Sequence, residues 1–125
     1  KDIVFNVEVP EEIQVEGMGL LDFLTIVSIL CDNAIEASLE VCQPHVSIAF
    51  FKNGAQETFI IENSIKEEDI DISEIFSFGV SSKGEDRGVG LYTVMKIMES
   101  HPNASLNTTC HNQVFRQVLT MLSIE

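Results

Sequence analysis

The sequence predicts a two-layer α/β sandwich, a mixed sheet of about five strands with helices on one face. Three observations lead there. Strand-type alternation recurs in five short segments, and helical periodicity fills only two long ones. The middle and final strand segments come as adjacent pairs, which leaves too few crossovers for a doubly wound parallel sheet. The chain has 125 residues, 45% of them hydrophobic, and only three prolines, which suits one packed domain.

The elements follow in order. "IVFNVEVP" alternates from Ile3 to Val9 and reads as a strand closed by Pro10. From about Met18 to Leu39 the period becomes helical, with Leu20, Leu24, Val27, Cys31 and Ala34 as the expected core stripe. Pro44 then separates this helix from the strand "HVSIAFF". Lys52 to Gly54 signals a hairpin turn, and "ETFIIEN" returns as its second strand. The polar connection "SIKEEDIDISEIF" is expected to carry one short helical turn around Ile72 to Phe76. A loop from Ser77 to Arg87 leads to a helix from about Val89 to Glu99, which Pro102 stops. "ASLNTTC" and "VFRQVLTML" read as a final antiparallel pair with a turn at His111 to Gln113.

Charge narrows the function classes. A net charge of −13 repels nucleic acid and anionic lipid, and repels ATP too unless a local field reverses sign. Only seven Lys and Arg are present, and Lys83, Arg87 and Lys96 fall within "SSKGEDRGVGLYTVMK". The longest apolar run is interrupted by Asp22, Thr25, Ser28 and Asp32, short of the ~20 residues of a membrane span. The opening "KDIVFNVEVP" lacks the basic-then-apolar order of a secretion signal. Cys31, Cys42 and Cys110 are odd in number and lack CxxC spacing, so reduced cytosolic thiols are expected, with neither disulfides nor zinc.

The glycines in that cation-bearing stretch invite two phosphate motifs, and both fail. Gly79 and Gly84 have P-loop spacing, but Glu85 and Asp86 stand where Lys-Ser is needed. Gly88 and Gly90 begin a GxGxxG, yet Thr93 holds the third position and no strand precedes it. What remains is physical. Glycines without Cβ let backbone approach a bulky anion, and a helix start offers unpaired N–H groups to phosphate. The competing reading is a glycine-rich turn that merely caps a core helix.

A second signal lies in "ILCDNAIEAS". Asn33 sits one turn from Ile29 and Leu30 and one turn before Ala37, along an otherwise apolar stripe with Ile26. A buried amide without partners costs about 1–3 kcal/mol. One carbonyl oxygen beside a triphosphate suits Mg²⁺, which keeps several waters and phosphate oxygens. The alternative is a core Asn satisfied by its own surroundings.

An "NA" pair late in a long helix, then a hairpin, a loop and "RGVGLYTV" opening another helix, resembles the GHKL (Bergerat-fold) ATP-binding superfamily. Within it, "DNAIEAS" followed by "VSSKGEDRGVGLYTVMKI" resembles the catalytic domain of peptide-pheromone, quorum-sensing sensor histidine kinases of Gram-positive bacteria, nearly end to end. The resemblance implies Mg²⁺ and ATP as cofactors and transfer of the γ-phosphoryl group to a histidine on a separate dimerisation helix. It further implies a LytTR-type response regulator downstream. The chain would then be the cytoplasmic module of a membrane-anchored, dimeric receptor. By position, Asn33 matches the magnesium-holding Asn, Gly88 and Gly90 the second glycine box, and Lys83 and Arg87 the ATP lid. Phe76 matches the aromatic of the F box. Leu91 and Tyr92 open the helix beside the nucleotide, with Tyr92 toward the adenine.

Two departures bear on the chemistry. Where the family reads DxGxG to hold the adenine amino group, this chain has "ENSIK", with Asn63 in the Asp position. Asn63 can accept through its side-chain oxygen without a full charge. Ile29 occupies the position that, in the ATP-hydrolysing branches, is a Glu activating water, and Ile29 is no base. A phosphoryl donor needs no base there, because such transfer is mostly positioning and charge neutralisation. His45, His101 and His111 read as surface or turn residues, so the acceptor is expected on another segment. The remaining alternatives are a serine kinase of the anti-sigma-factor type and a nucleotide-sensing interaction module.

Overall fold

The computed structural model describes residues 2–10, 12, 14–66 and 85–123, with 85–89 described in their backbone only. The elements run β1 (Val4–Glu8), α1 (Leu20–Ser38), β2 (His45–Asn53), β3 (Gln56–Ser64), α2 (Glu85–Glu99), β4 (Ala104–His111) and β5 (Val114–Leu122). The strands form one sheet in the order β1-β2-β3-β5-β4, with β1 parallel to β2 and the other neighbours antiparallel. Among the described residues both helices pack on one another over the sheet, α1 across β3 and β2, α2 toward β4. This is the expected mixed five-stranded α/β sandwich.

Local chemistry accounts for the turns. Gly54 takes φ +64° between the end of β2 at Asn53 and the start of β3 at Gln56, within the turn expected at Lys52 to Gly54. Asn112 and Gln113 both have positive φ, 52° and 63°, the backbone that a two-residue hairpin needs to match strand twist. His111 is therefore the last residue of β4 rather than part of the turn.

The buried stripe of α1 differs from the expected one. Phe23, Ile26, Leu30 and Ala34 face the sheet, whereas Leu20 and Leu24 are exposed. The helix is apolar on more than one side, so periodicity alone does not select the face. Phe23 decides it: its ring stacks on Phe50 at 5.3 Å and meets Phe59 edge-on at 6.2 Å. With Ile61, Leu119 and Met121 from the sheet and Leu91 and Val94 from α2, these side chains close the core. Helix α2 starts four residues before the expected Val89. The expected short helical turn around Ile72 to Phe76 and most of the loop to Arg87 lie outside the described residues.

Candidate nucleotide site

The floor of the site is one end of the sheet's helix-facing side. Side chains alternate across a strand, so β3 presents Glu57, Phe59, Ile61 and Asn63 to the helices, paired with Met121, Leu119, Gln117 and Phe115 of β5. Toward the end of β3 the floor turns polar. Asn63 and Gln117 are each only 3% exposed. Gln117 Nε2 donates to Thr108 Oγ1 at 3.3 Å, across the β4–β5 pair. Asn63 Nδ2 donates to the carbonyl of Ser64 at 3.0 Å, which leaves its oxygen as the atom with which it can meet a donor.

The walls are α1 and α2. Phe23 anchors the start of α1 over Phe50 and Phe59. The helix end must reach the start of β2, where the His45 N–H donates to Ser64 Oγ at 3.1 Å. Ten residues of helix rise about 15 Å, and the four from Phe59 to Asn63 span about 13 Å of strand. Asn33 thus stands at the polar end of the floor, where it is 9% exposed.

Helix α2 runs antiparallel to α1. His101, just past its end, holds Asp22 at 2.9 Å, and Gly90, near its start, lies against Ile29. A Cβ on Gly90 would sit 3.2 Å from Ile29 Cγ2. Asn33 is one turn beyond Ile29 on the same side of α1, so the first turn of α2 and Asn33 converge on one end of the fold. Two expectations change in detail. Because α2 begins at Glu85, Gly90 and Leu91 lie past the first four N–H groups, the ones left unpaired at a helix start. Gly90 instead permits close helix packing, and the Leu91 side chain is core, 7% exposed. An anion-facing backbone belongs to the turn that holds Arg87.

Other residues fall differently. Lys96 hydrogen-bonds with Tyr92, its ammonium 5.3 Å from the ring centre, and pairs with Glu99 at 3.7 Å; both raise its pKa above the ordinary lysine value. Tyr92 is thus tied to the side of its own helix. Cys31, half-buried on α1, has its thiol pushed up by burial and by Asp32, which keeps it protonated at neutral pH. Lys83 and Phe76 lie outside the described residues, as does the side chain of Arg87, while Gly88 is described in its backbone only, within the first turn of α2. Gln117 and Thr108 were missed by sequence reasoning. The signal was available: Gln117 is an amide within the apolar alternation Phe115, Leu119, Met121, the same anomaly that marks Asn33.

The fold has counterparts among known proteins. A family model described as the GHKL domain matches residues 18–122, which includes both helices and four of the strands. The chain belongs to the GHKL domain family. The catalytic domain of histidine kinase ThkA superposes with a TM-score of 0.79 at 20% identity, over 97% of this GHKL domain and 79% of that chain. The mycobacterial sensor histidine kinase MprB gives 0.72 at 17%, over 96% and 81%. Full-length ShkA in complex with AMPPNP gives 0.73 at 15%, over 98% of this domain and 26% of that chain. No curated protein matches the chain in sequence.

Proposed function

We propose that this GHKL domain binds Mg-ATP between Asn33, Asn63 and the first turn of α2, and donates the γ-phosphoryl group to a histidine on a separate dimerisation helix. The observation that carries the proposal is the convergence of Asn33 with the start of α2 over a floor of uncharged amides. The residues fit magnesium in one respect that matters. Asn33 is buried at the polar end of the floor, and a single Asn oxygen suits an ion that takes most of its ligands from phosphate and water. Bound there, magnesium supplies charge neutralisation to the phosphate oxygens.

The chain's own residues do the rest. The Asn63 oxygen accepts from the adenine amino group, Gln117 and Thr108 line the floor beside it, and the α2 start together with Lys83 and Arg87 steadies the phosphates. Ile29, packed against Gly90, fills the place of a water-activating carboxylate with a methyl group, which favours transfer over hydrolysis. The kinase-type structural neighbours support the same reading, and ThkA is known in complex with the response regulator TrrA. We further assign this domain to a membrane-anchored, dimeric, peptide-pheromone receptor of Gram-positive type acting through a response regulator, on the resemblance of "DNAIEAS" and "RGVGLYTV".

The test adds a separately made acceptor-helix domain and γ-labelled ATP. Label that is acid-labile and base-stable marks phosphohistidine and supports the proposal; label on serine indicates a serine kinase. Asn63 in place of a carboxylate favours one second reading, a nucleotide sensor that reports ATP to a partner. Binding without any transfer would support that instead.

A further inference from the structure

We propose that the helix-side face of β1 and the adjoining flank of α1 dock a cationic amphipathic helix of a partner protein. The inference goes beyond the nucleotide site: the leucine wall lies at the opposite end of α1 from Asn33, and the floor runs along β1 from Phe5, level with Asn63, toward that end. In register, Phe5 and Val7 pair with Val46 and Ile48, which point toward the helix layer, and Val9 continues the alternation. Yet Phe5 is 51% and Val7 63% exposed. Strands lie about 4.8 Å apart and helices about 10 Å, so two helices cover about four strands of a five-stranded sheet. Among the described residues the uncovered strand is β1, the edge farthest from α2.

The bordering wall is apolar as well. Two residues of helix turn through about 200°, so Leu24 lies opposite Asp22 and Cys31 opposite Ile29, the residues that face α2. Leu20 and Leu24 therefore overlook β1, and Leu21, 78% exposed, extends the apolar rim. The result is a groove with a floor of Phe5, Val7 and Val9 and a wall of leucines, with room for a third helix beside α1. Large contiguous apolar surface of this kind marks an interaction site.

Charge selects the occupant. Residues 2–51 contain nine carboxylates and no Lys or Arg. Asp2 just before β1, Glu8 at its end, Glu12, and Asp32 and Glu40 from α1 and its end are exposed. Two copies of such a surface repel one another, and so does an anionic membrane. A helix with leucines on one face and Lys or Arg on its flanks satisfies both the groove and its rim. Docking beside α1 would also place the partner against the helix that carries Asn33.

The test uses this domain with a fluorescent Leu/Lys heptad-repeat helix, a Leu/Glu counterpart, and anisotropy as readout. The Leu/Lys helix is expected to bind and weaken with added salt, and the Leu/Glu helix not to bind. Leu20→Ser with Leu24→Ser, and separately Phe5→Ser, should weaken binding by at least about tenfold. Val114→Ser, at an exposed apolar position elsewhere, should leave it unchanged. All the variants should retain wild-type circular dichroism and thermal midpoint. Equal binding of both helices, or equal loss in the Val114 variant, would overturn the proposal. So would concentration-dependent self-association of the domain that the Leu20/Leu24 change abolishes, since the face would then belong to a second copy.

Discussion

The two ends of the sheet's helix-facing side are closed by opposite chemistry. At the β2–β3 hairpin end, Glu57 is completely buried, and its two oxygens accept from the Glu16 and Gly17 N–H groups at 2.8 Å each. Asn103 Nδ2 donates there to the carbonyls of Gly17 and Leu122 at 2.6 and 2.7 Å. A Cβ on Gly17 would stand 2.6 Å from Met121 Cβ, so only glycine lets that segment lie so close. The Glu57 carboxylate and the Asn103 amide nitrogen both meet backbone here, and the segment before α1 is clamped onto the sheet. The other end is built from the amides of Asn33, Asn63 and Gln117 and the Thr108 hydroxyl, groups that can both give and accept. One end spends its polarity on the fold, the other keeps it for a ligand.

The comparison breaks most easily at the clamp. Glu57→Ala leaves one buried and one part-buried N–H group without their acceptor and should cost about 3 kcal/mol of unfolding free energy in urea. Glu57→Gln, which keeps one acceptor oxygen, should cost about half as much. Nucleotide affinity at low temperature should be unchanged in both, because the clamp is far from the amides. Next in size is the helix contact that positions the open end. Gly90→Val drives a branched side chain into Ile29 and should cost about 2 kcal/mol, with Ile29→Ala recovering at least half of it in a double-mutant cycle. Additive effects would show that the two residues do not share the contact.

A smaller effect separates ligand chemistry from fold chemistry. Asn63→Asp restores a charged acceptor for the adenine amino group and should tighten ADP binding about fivefold. It should also lower stability, since a carboxylate replaces the amide that donates to the Ser64 carbonyl. The smallest effect belongs to the exposed Lys52–Glu16 pair at 2.9 Å, beside the clamp. Hydrogen bonding and charge from Lys52 hold the Glu16 carboxyl below its ordinary value of 4.5. Its contribution is therefore complete above that value and fades as pH falls through the lowered one. Lys52→Ala should flatten that slope in an acid-denaturation series.

Much of this was legible before the structure. The strand pairs, the single-domain size and the two helices follow from alternation, period and turn residues. Asn33 announced itself as an amide among apolar neighbours. The face of α1 was not legible, because Leu20, Leu24 and Val27 repeat as regularly as Phe23, Ile26 and Leu30; only the ring contacts with Phe50 and Phe59 distinguish them. The start of α2 was misplaced for a related reason. Glycines mark helix boundaries in sequence, whereas Gly90 serves a helix–helix approach that depends on the position of Ile29 in space. Gln117 escaped although its own strand carries the signal, because its place in the floor shows only once β3 lies beside the β4–β5 hairpin.

The central claim is that Asn33 and the first turn of α2 share one magnesium-bound triphosphate. Calorimetric titration of ATP, with and without magnesium, into the wild-type domain and Asn33→Ala tests it most directly. Magnesium should strengthen binding to the wild type by at least about tenfold and have little effect on the variant, with the thermal midpoint of the free protein nearly unchanged. An equal magnesium response in both proteins would contradict the assignment.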